Sequence, residues 1–256
     1  MRRLVIGVLV LVGLLVAADF GAAALAESAV SRQMRAELGL ADDPSVRING
    51  FPFLTQAVSG QYPSVDVDAQ HLTVGPFQQV EVNAQLHDVT APLSMLLSSG
   101  KKTVHVAGAD GSVRIGPTDI QRLVPGLTKA RIEPVDAAAL RRVVEQGGDS
   151  DVANLDPKRV ARLVGTLDVL GQPVELAVLV TLNLKGAVAS LGARDIRLSD
   201  GTGLPLPGAV QRSILGLFDR PLDTGSLPLK VTPTTFTVEN GTLAIGGTAG
   251  ALTLGG

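Results

Sequence analysis

The chain has 256 residues, a formal net charge of −2, 45% hydrophobic and 18% charged residues, one tyrosine, and neither tryptophan nor cysteine. Such a composition builds a folded core and excludes a disordered chain, while the missing cysteines exclude disulfides, thiolate metal sites and a lipidated Cys anchor. Near-neutral charge and scarce aromatic stacking platforms also argue against nucleic acid as a partner.

Arg2-Arg3 precede an apolar run from Leu4 to Ala18, followed by Asp19 and the small-residue string Ala22-Ala23-Ala24-Leu25-Ala26. This is the layout of an export signal. At 1.5 Å per residue the run reaches about 22 Å, short of a hydrocarbon core of about 30 Å. Residues 1–26 are therefore expected to be a signal peptide cleaved at Ala26, or else an N-terminal membrane anchor around which the bilayer thins. Residues 27–256 read as a single domain. Ala22, Ala26, Val30, Met34 and Leu38 recur every four positions, so a helix is expected over about 20–39, with Gly39 as its cap. Its polar face mixes Glu27, Arg32, Arg35 and Glu37, which suits a helix packed on a core better than one lying on a membrane.

After the strand-like Val46-Arg47-Ile48, Gly50 and Pro52 predict an extended turn with Phe51 and Phe53 on one side of the backbone. Leu54 and Val58 then suggest a short helix ending near Gly60, and Tyr62-Pro63 lead into a sheet. The aromatic cluster reads as a plug at one end of the core, or as a surface lining an acyl pocket or dipping into a bilayer.

From residue 64 onward apolar and polar residues alternate, as in SVDVDAQHLTV and QQVEVNAQLHDV. Turn signals stand at Gly75-Pro76, Gly116-Pro117, Gly171-Gln172-Pro173 and Glu239-Asn240-Gly241, the last an Asn-Gly hairpin. Short helices are expected over 91–98, 117–124, 136–146 and 207–218. Gly147–Pro157, with Asp149, Asp151 and Asp156, reads as a solvated loop without a calcium-binding pattern. The fold class expected is α+β. A long curved antiparallel sheet would wrap the N-terminal helix and the 207–218 helix, enclosing an apolar groove.

Catalytic frames are missing: there is no Gly-x-Ser-x-Gly, no phosphate-binding loop and no His-Glu-x-x-His. Gly201-Thr202-Gly203 starts like a dinucleotide motif, but Leu206 replaces its third glycine. His71, His87 and His105 lie too far apart for local chelation, and Asp66, Asp68 and Asp88 alternate with apolar residues as solvated strand acids do. No catalytic residue, metal or cofactor is assigned. Two alternatives stay open: an envelope hydrolase or transferase with a His and carboxylate site assembled across strands, and a scaffold that stabilises a glycosyltransferase.

A large apolar inventory with few polar functional groups suits a lipid. Each buried methylene contributes about 0.8 kcal/mol, so a sixteen-carbon chain offers roughly 12 kcal/mol before entropy is subtracted. Candidate acyl contacts are Met34, Leu38, Phe51, Phe53, Leu54, Val58, Phe77, Leu96, Ile214, Leu217 and Phe218. Candidate headgroup cations are Lys101, Lys102, Lys129 and Arg131.

The succession of an export signal, ADFGAAALAESAVSRQMRAEL, INGFPFLTQAVSGQYPSVDVDA and SVRIGPTDIQRLVPGL resembles the LmeA-like phospholipid-binding proteins of actinobacterial cell envelopes. The block Gly50-Phe51-Pro52-Phe53-Leu54 is the most specific part of the likeness. The resemblance implies a non-catalytic, periplasmic, membrane-associated protein. Its partners would be phospholipids, the outer face of the plasma membrane and a mannosyltransferase, in support of mannan elongation in lipomannan and lipoarabinomannan synthesis. It also invites comparison with tubular lipid-binding domains, in which a curved sheet wraps a long helix.

Overall fold

A computed structural model describes residues 2–74, 77–92, 103–169, 171–185, 188–204, 208–218, 220–222 and 232–254. The expected 91–98 helix falls almost wholly outside them, as do Leu96, Lys101 and Lys102. The fold is α+β with antiparallel strand pairing and, among the described residues, an open strand order. It divides into two compact units: residues 1–70, 82–111 and 249–256 form the first, residues 71–81 and 112–248 the second.

In the first unit, helix α1 (Arg2–Leu38) leads to strand β1 (Ser45–Asn49) and helix α2 (Phe53–Ser59). β1 pairs with β2 (Gln61–Val74), Ser45 facing Asp68 and Asn49 facing Ser64. β3 (Phe77–Thr90) and β4 (Val104–Ile115) follow in the sheet, and β12 (Leu252–Leu254) lies on β4 with Leu252 opposite Val106. The helix predicted for 20–39 is the C-terminal half of α1, since nothing between the apolar run and Ala22 interrupts the helix. Ala22, Ala23 and Ala26 of α1 pack on a core of Phe53, Ala57, Tyr62, Val89, Ala91 and Val106. Small side chains on this face of the helix allow its backbone to approach closely.

α2 ends at Gly60, whose φ of 70° is left-handed and whose N–H donates to the Gln56 carbonyl. A Cβ there would meet Pro92 Cα at 2.8 Å. Gly60→Ala should therefore cost about 1–3 kcal/mol from the disfavoured backbone region, and more from the clash. Chemical unfolding reads this directly, and an unchanged midpoint would contradict it.

The second unit holds a five-stranded sheet in the order β5 (Thr128–Pro134), β6 (Val160–Val169), β7 (Gln172–Lys185), β8 (Val188–Leu198) and β9 (Arg220–Leu222). Its helices are α3 (Pro117–Leu123), α4 (Ala137–Glu145) and α5 (Gly208–Phe218). β10 (Thr232–Glu239) and β11 (Thr242–Ala249) form a hairpin whose turn is the expected Asn240-Gly241, with φ of 49° and 76° and Glu239 facing Thr242. Both positive φ values are what a two-residue type I′ turn demands.

The strands thus form two ladders, the other being the seven-stranded sheet β1-β2-β3-β4-β11-β10 with β12 on β4. β4 stops at Gly116-Pro117, where proline opens α3 and cannot donate to a ladder. The two long helical segments consequently serve different units: α1 packs on β1 and α2, whereas α5 packs on β8. β6 and β7 also depart from simple alternation. Leu176–Thr181 is buried on both faces, as suits a continuous apolar run at the middle of a sheet. Leu140 of α4 covers one side with Val152, Val160 and Leu179. The Gly147–Pro157 segment folds into two 3₁₀ turns, in which Asp149 accepts from Asp151 N–H and Asp156 from Lys158 N–H. Two of its three acids are thereby occupied as caps.

Candidate functional site

Helix α2 begins at Pro52, which has no side chain able to cap it. Its cap comes from α1 instead. Asp19, only 4% exposed, accepts from Phe53 N–H through Oδ2 and from Leu54 N–H through Oδ1, both at 2.8 Å. Further along α1, Glu27 Oε1 accepts from Ile48 N–H at 2.8 Å, and Ser31 Oγ donates to the Pro44 carbonyl. Side chains of α1 thus satisfy the orphan backbone groups of a turn that cannot satisfy itself.

This anchoring decides which way the aromatic residues point. Phe53 turns inward against Tyr62, with ring centroids 6.4 Å apart. Phe51 turns outward and stacks on Phe20 of α1 at 5.9 Å, with its side chain 60% exposed. The two rings therefore part, contrary to the expectation that they share a side. The extended backbone ends at Pro52, and Phe53 is already helical. Leu54 and Val58 occupy the outer face of α2, with Val58 82% exposed. Phe20, Phe51, Leu54 and Val58 are thus all exposed, and Phe20 continues the apolar half of α1, whose large side chains from Leu4 to Leu15 are likewise exposed.

Two clefts of about 560 Å³ open among the described residues, one within each unit. The first-unit cleft is lined by Thr55, Gln56 and Ser59 of α2 with Tyr62, Asp88 and Thr90 of the strands. It is chiefly polar, and Gln56 Oε1, which is buried, has no hydrogen-bond partner. The second-unit cleft runs along α4 and is lined by Glu133, Asp136, Arg142, Arg162, Asp195 and Arg197 among others. Two of its arginines are committed to the fold. Arg162 pairs with Glu133 at 2.8 Å and donates to the Ser199 carbonyl. Arg197 donates to Asp195 at 2.7 Å, to the Val143 carbonyl at 2.8 Å and to the carbonyls of Gln146 and Gly201 at 3.4 Å. Neither cleft is lined by α1 or α5, the helices expected to enclose an apolar groove.

Burial pushes the Asp195 carboxyl above its ordinary 3.8; the Arg197 guanidinium opposes this less strongly, and Asp149 adds to the rise. The native state therefore keeps this proton to higher pH than the unfolded chain does. Stability from this group is present below 3.8 and is lost as pH rises through the raised value. Asp195→Asn should flatten that decline in unfolding midpoint against pH. Identical slopes in the two proteins would contradict the assignment.

His87 and His105 have different polar partners on the first unit. His87 Nε2 meets Asp110 Oδ2 at 2.8 Å on the exposed surface of β3 and β4. His105 Nδ1 is 3.3 Å from Thr253 Oγ1, and His71 lies in the other unit. Among the described residues no group of three or more His, Asp or Glu side chains is placed to hold a metal ion.

Against this geometry, residues 17–248 match the family described as LmeA-like phospholipid-binding. The chain belongs to the LmeA-like phospholipid-binding family. No curated protein and no solved structure matches it. Membership supports a lipid-binding role, and the LmeA-like family is not a known enzyme family. Its match starts two residues before Asp19 and so takes in the part of α1 that caps α2.

The residues expected to meet lipid are distributed between the units of this LmeA-like chain. Phe51, Leu54 and Val58 are exposed on the first unit, and Phe51 stacks on Phe20. Phe53 belongs to the packed core; Met34 is half-buried on α1, and Leu38 is exposed at its end. In the second unit Phe77 and Ile214 are buried, while Leu217 and Phe218 lie in α5 with side chains outside the described residues. Lys129 is exposed at a bulge of β5 with φ of 51°, and Arg131 is held by Glu175 at 2.9 Å. Sequence reasoning missed Phe20 and Asp19. Asp19, Ala22, Ala23 and Ala26 share one helical face, and a lone acid on a face of alanines was the available signal.

Proposed function

We propose that the protein binds phospholipids without catalysis at the outer face of the plasma membrane. In this reading it is exported to the periplasm and supports mannan elongation in lipomannan and lipoarabinomannan synthesis, and with it envelope integrity, beside a mannosyltransferase. The observation that carries the lipid contact is the exposure of Phe51, stacked on Phe20, and of Leu54 and Val58 on the outer face of α2, in a member of a phospholipid-binding family. Side chains of this kind each contribute about 1.5–3 kcal/mol when removed from water, and an acyl chain laid against them supplies that burial. Lys129, exposed on the second unit, remains a candidate on sequence grounds, as do Leu96, Lys101 and Lys102.

The test compares the native chain with Phe51→Ser/Leu54→Ser, both delipidated and reloaded with radiolabelled phospholipid. Phe51 and Leu54 lie on the surface, so the variant should stay folded and lose little stability beyond the Phe51 stack on Phe20. Retained phospholipid should fall roughly 100-fold in affinity, the equivalent of about 1.5 kcal/mol per side chain. Equal retention by both proteins would remove this surface from the account.

A further inference from the structure

We infer that α1 stays attached in the mature protein, and that Phe20, Phe51, Leu54 and Val58 form a collar seated in the outer headgroup boundary of a lipid bilayer that the apolar half of α1 spans. This inference does not rest on phospholipid retention. A dispensable export signal makes no contacts that the folded domain needs, whereas α1 makes several on the N-terminal side of Ala26. Cleavage there would remove Asp19 and leave Phe53 N–H and Leu54 N–H without their acceptors. It would take away Phe20, on which Phe51 stacks, and strip Ala22, Ala23 and Ala26 from the core. Losing two hydrogen bonds to a carboxylate together with these apolar contacts would destabilise the turn that carries α2.

Retention turns the apolar half of α1 into an anchor. α1 is long and apolar enough to cross a membrane, and its Leu4–Leu15 side chains are exposed rather than packed on protein. Arg2-Arg3 at its start place that end on the cytoplasmic side, which puts the folded units outside. The run Leu4–Ala18 reaches only about 22 Å of the roughly 30 Å hydrocarbon core. Phe20 lies two residues beyond it, and Phe51 stacked on Phe20 continues the apolar surface. Phe and Leu side chains on an amphipathic surface sink about 5–10 Å into the boundary between headgroups and acyl chains. Asp19 is the one acid among Leu4–Ala26, and its carboxylate is sheltered by the α2 amides rather than presented to lipid.

The test uses the full chain exported in a host that processes signal peptides. Intact-mass spectrometry of protein from the membrane fraction should show residues 1–26 still attached, and the protein should stay in the pellet after an alkaline carbonate wash. A mature N-terminus at Glu27, or at any position after Asp19, overturns the inference. The chain has no tryptophan, so Val58→Trp provides a single fluorescent reporter on an exposed position. In proteoliposomes its emission should shift to the blue and be lost more to lipids brominated near the carbonyls than to those brominated at the chain ends. Leu54→Trp gives a second reading of the same surface, and no quenching in either variant overturns the collar. Intact protein that retains no phospholipid would sink the proposed function alone, while processed protein that retains it would sink this inference alone.

Discussion

Arg197→Met should lower the unfolding free energy by about 3–5 kcal/mol, the range seen when one partner of a buried charge pair is removed. Arg197 is 6% exposed, and its guanidinium gathers groups from three places. It neutralises Asp195 on its own strand, takes the carbonyls of Val143 and Gln146 at the C-terminal end of α4, and reaches Gly201 beyond β8. The last carbonyls of a helix have no intrahelical donors, so one cation here serves as the C-terminal cap of α4. Methionine fills much of the volume but donates nothing, leaving Asp195 charged and unpaired. Arg197→Met/Asp195→Asn should therefore recover part of the loss, because the stranded charge is gone. Urea unfolding of both variants measures this. A single variant within 1 kcal/mol of the native protein would show that the guanidinium is not the cap described.

Asp119→Ala should cost a comparable amount, about 3–5 kcal/mol from two hydrogen bonds to a charged group. Asp119 is 1% exposed at the start of α3 and accepts from Gln78 N–H at 2.9 Å and from Gln79 N–H at 3.1 Å, with Arg122 alongside at 3.4 Å. Each oxygen serves one amide at the beginning of β3, so the carboxylate ties α3 to that strand. Asp119→Asn keeps one acceptor and points an NH₂ at the other donor, so its cost should fall between native and alanine. Hydrogen exchange adds a local readout. The amides of Gln78 and Gln79 should lose protection in Asp119→Ala, and unchanged protection there would contradict the assignment.

These two carboxylates and Asp19 mark the boundary of what local sequence conveys. The helices expected over 117–124, 136–146 and 207–218 form over Pro117–Leu123, Ala137–Glu145 and Gly208–Phe218. Their ends are set by nearby residues: Pro117 opens one, and Asp136 caps another by accepting from Ala139 N–H. Gly60 and Asn240-Gly241 were legible for the same reason, since a left-handed backbone favours those residue types. The division of the strands into two sheets was not legible, because pairing between β4 and β11 joins segments more than a hundred residues apart and leaves no local trace. Nor was the parting of Phe51 and Phe53. That follows from Asp19, thirty-four positions before Phe53, whose carboxylate looked like the end of an apolar run. Arg197 carried even less signal, alternating among strand residues as a solvated arginine would. The candidate lipid surface was half visible: Phe51, Leu54 and Val58 could be named, but their partner Phe20 could not.

The central claim is that this member of the LmeA-like family holds a phospholipid. Mass spectrometry of lipid extracted from the full-length native protein, after exchange into lipid-free detergent and gel filtration, tests it most directly. The account predicts a phospholipid that co-elutes with the protein and reloads onto it after delipidation. Protein that elutes without phospholipid, and takes none up when phospholipid is supplied, would contradict it.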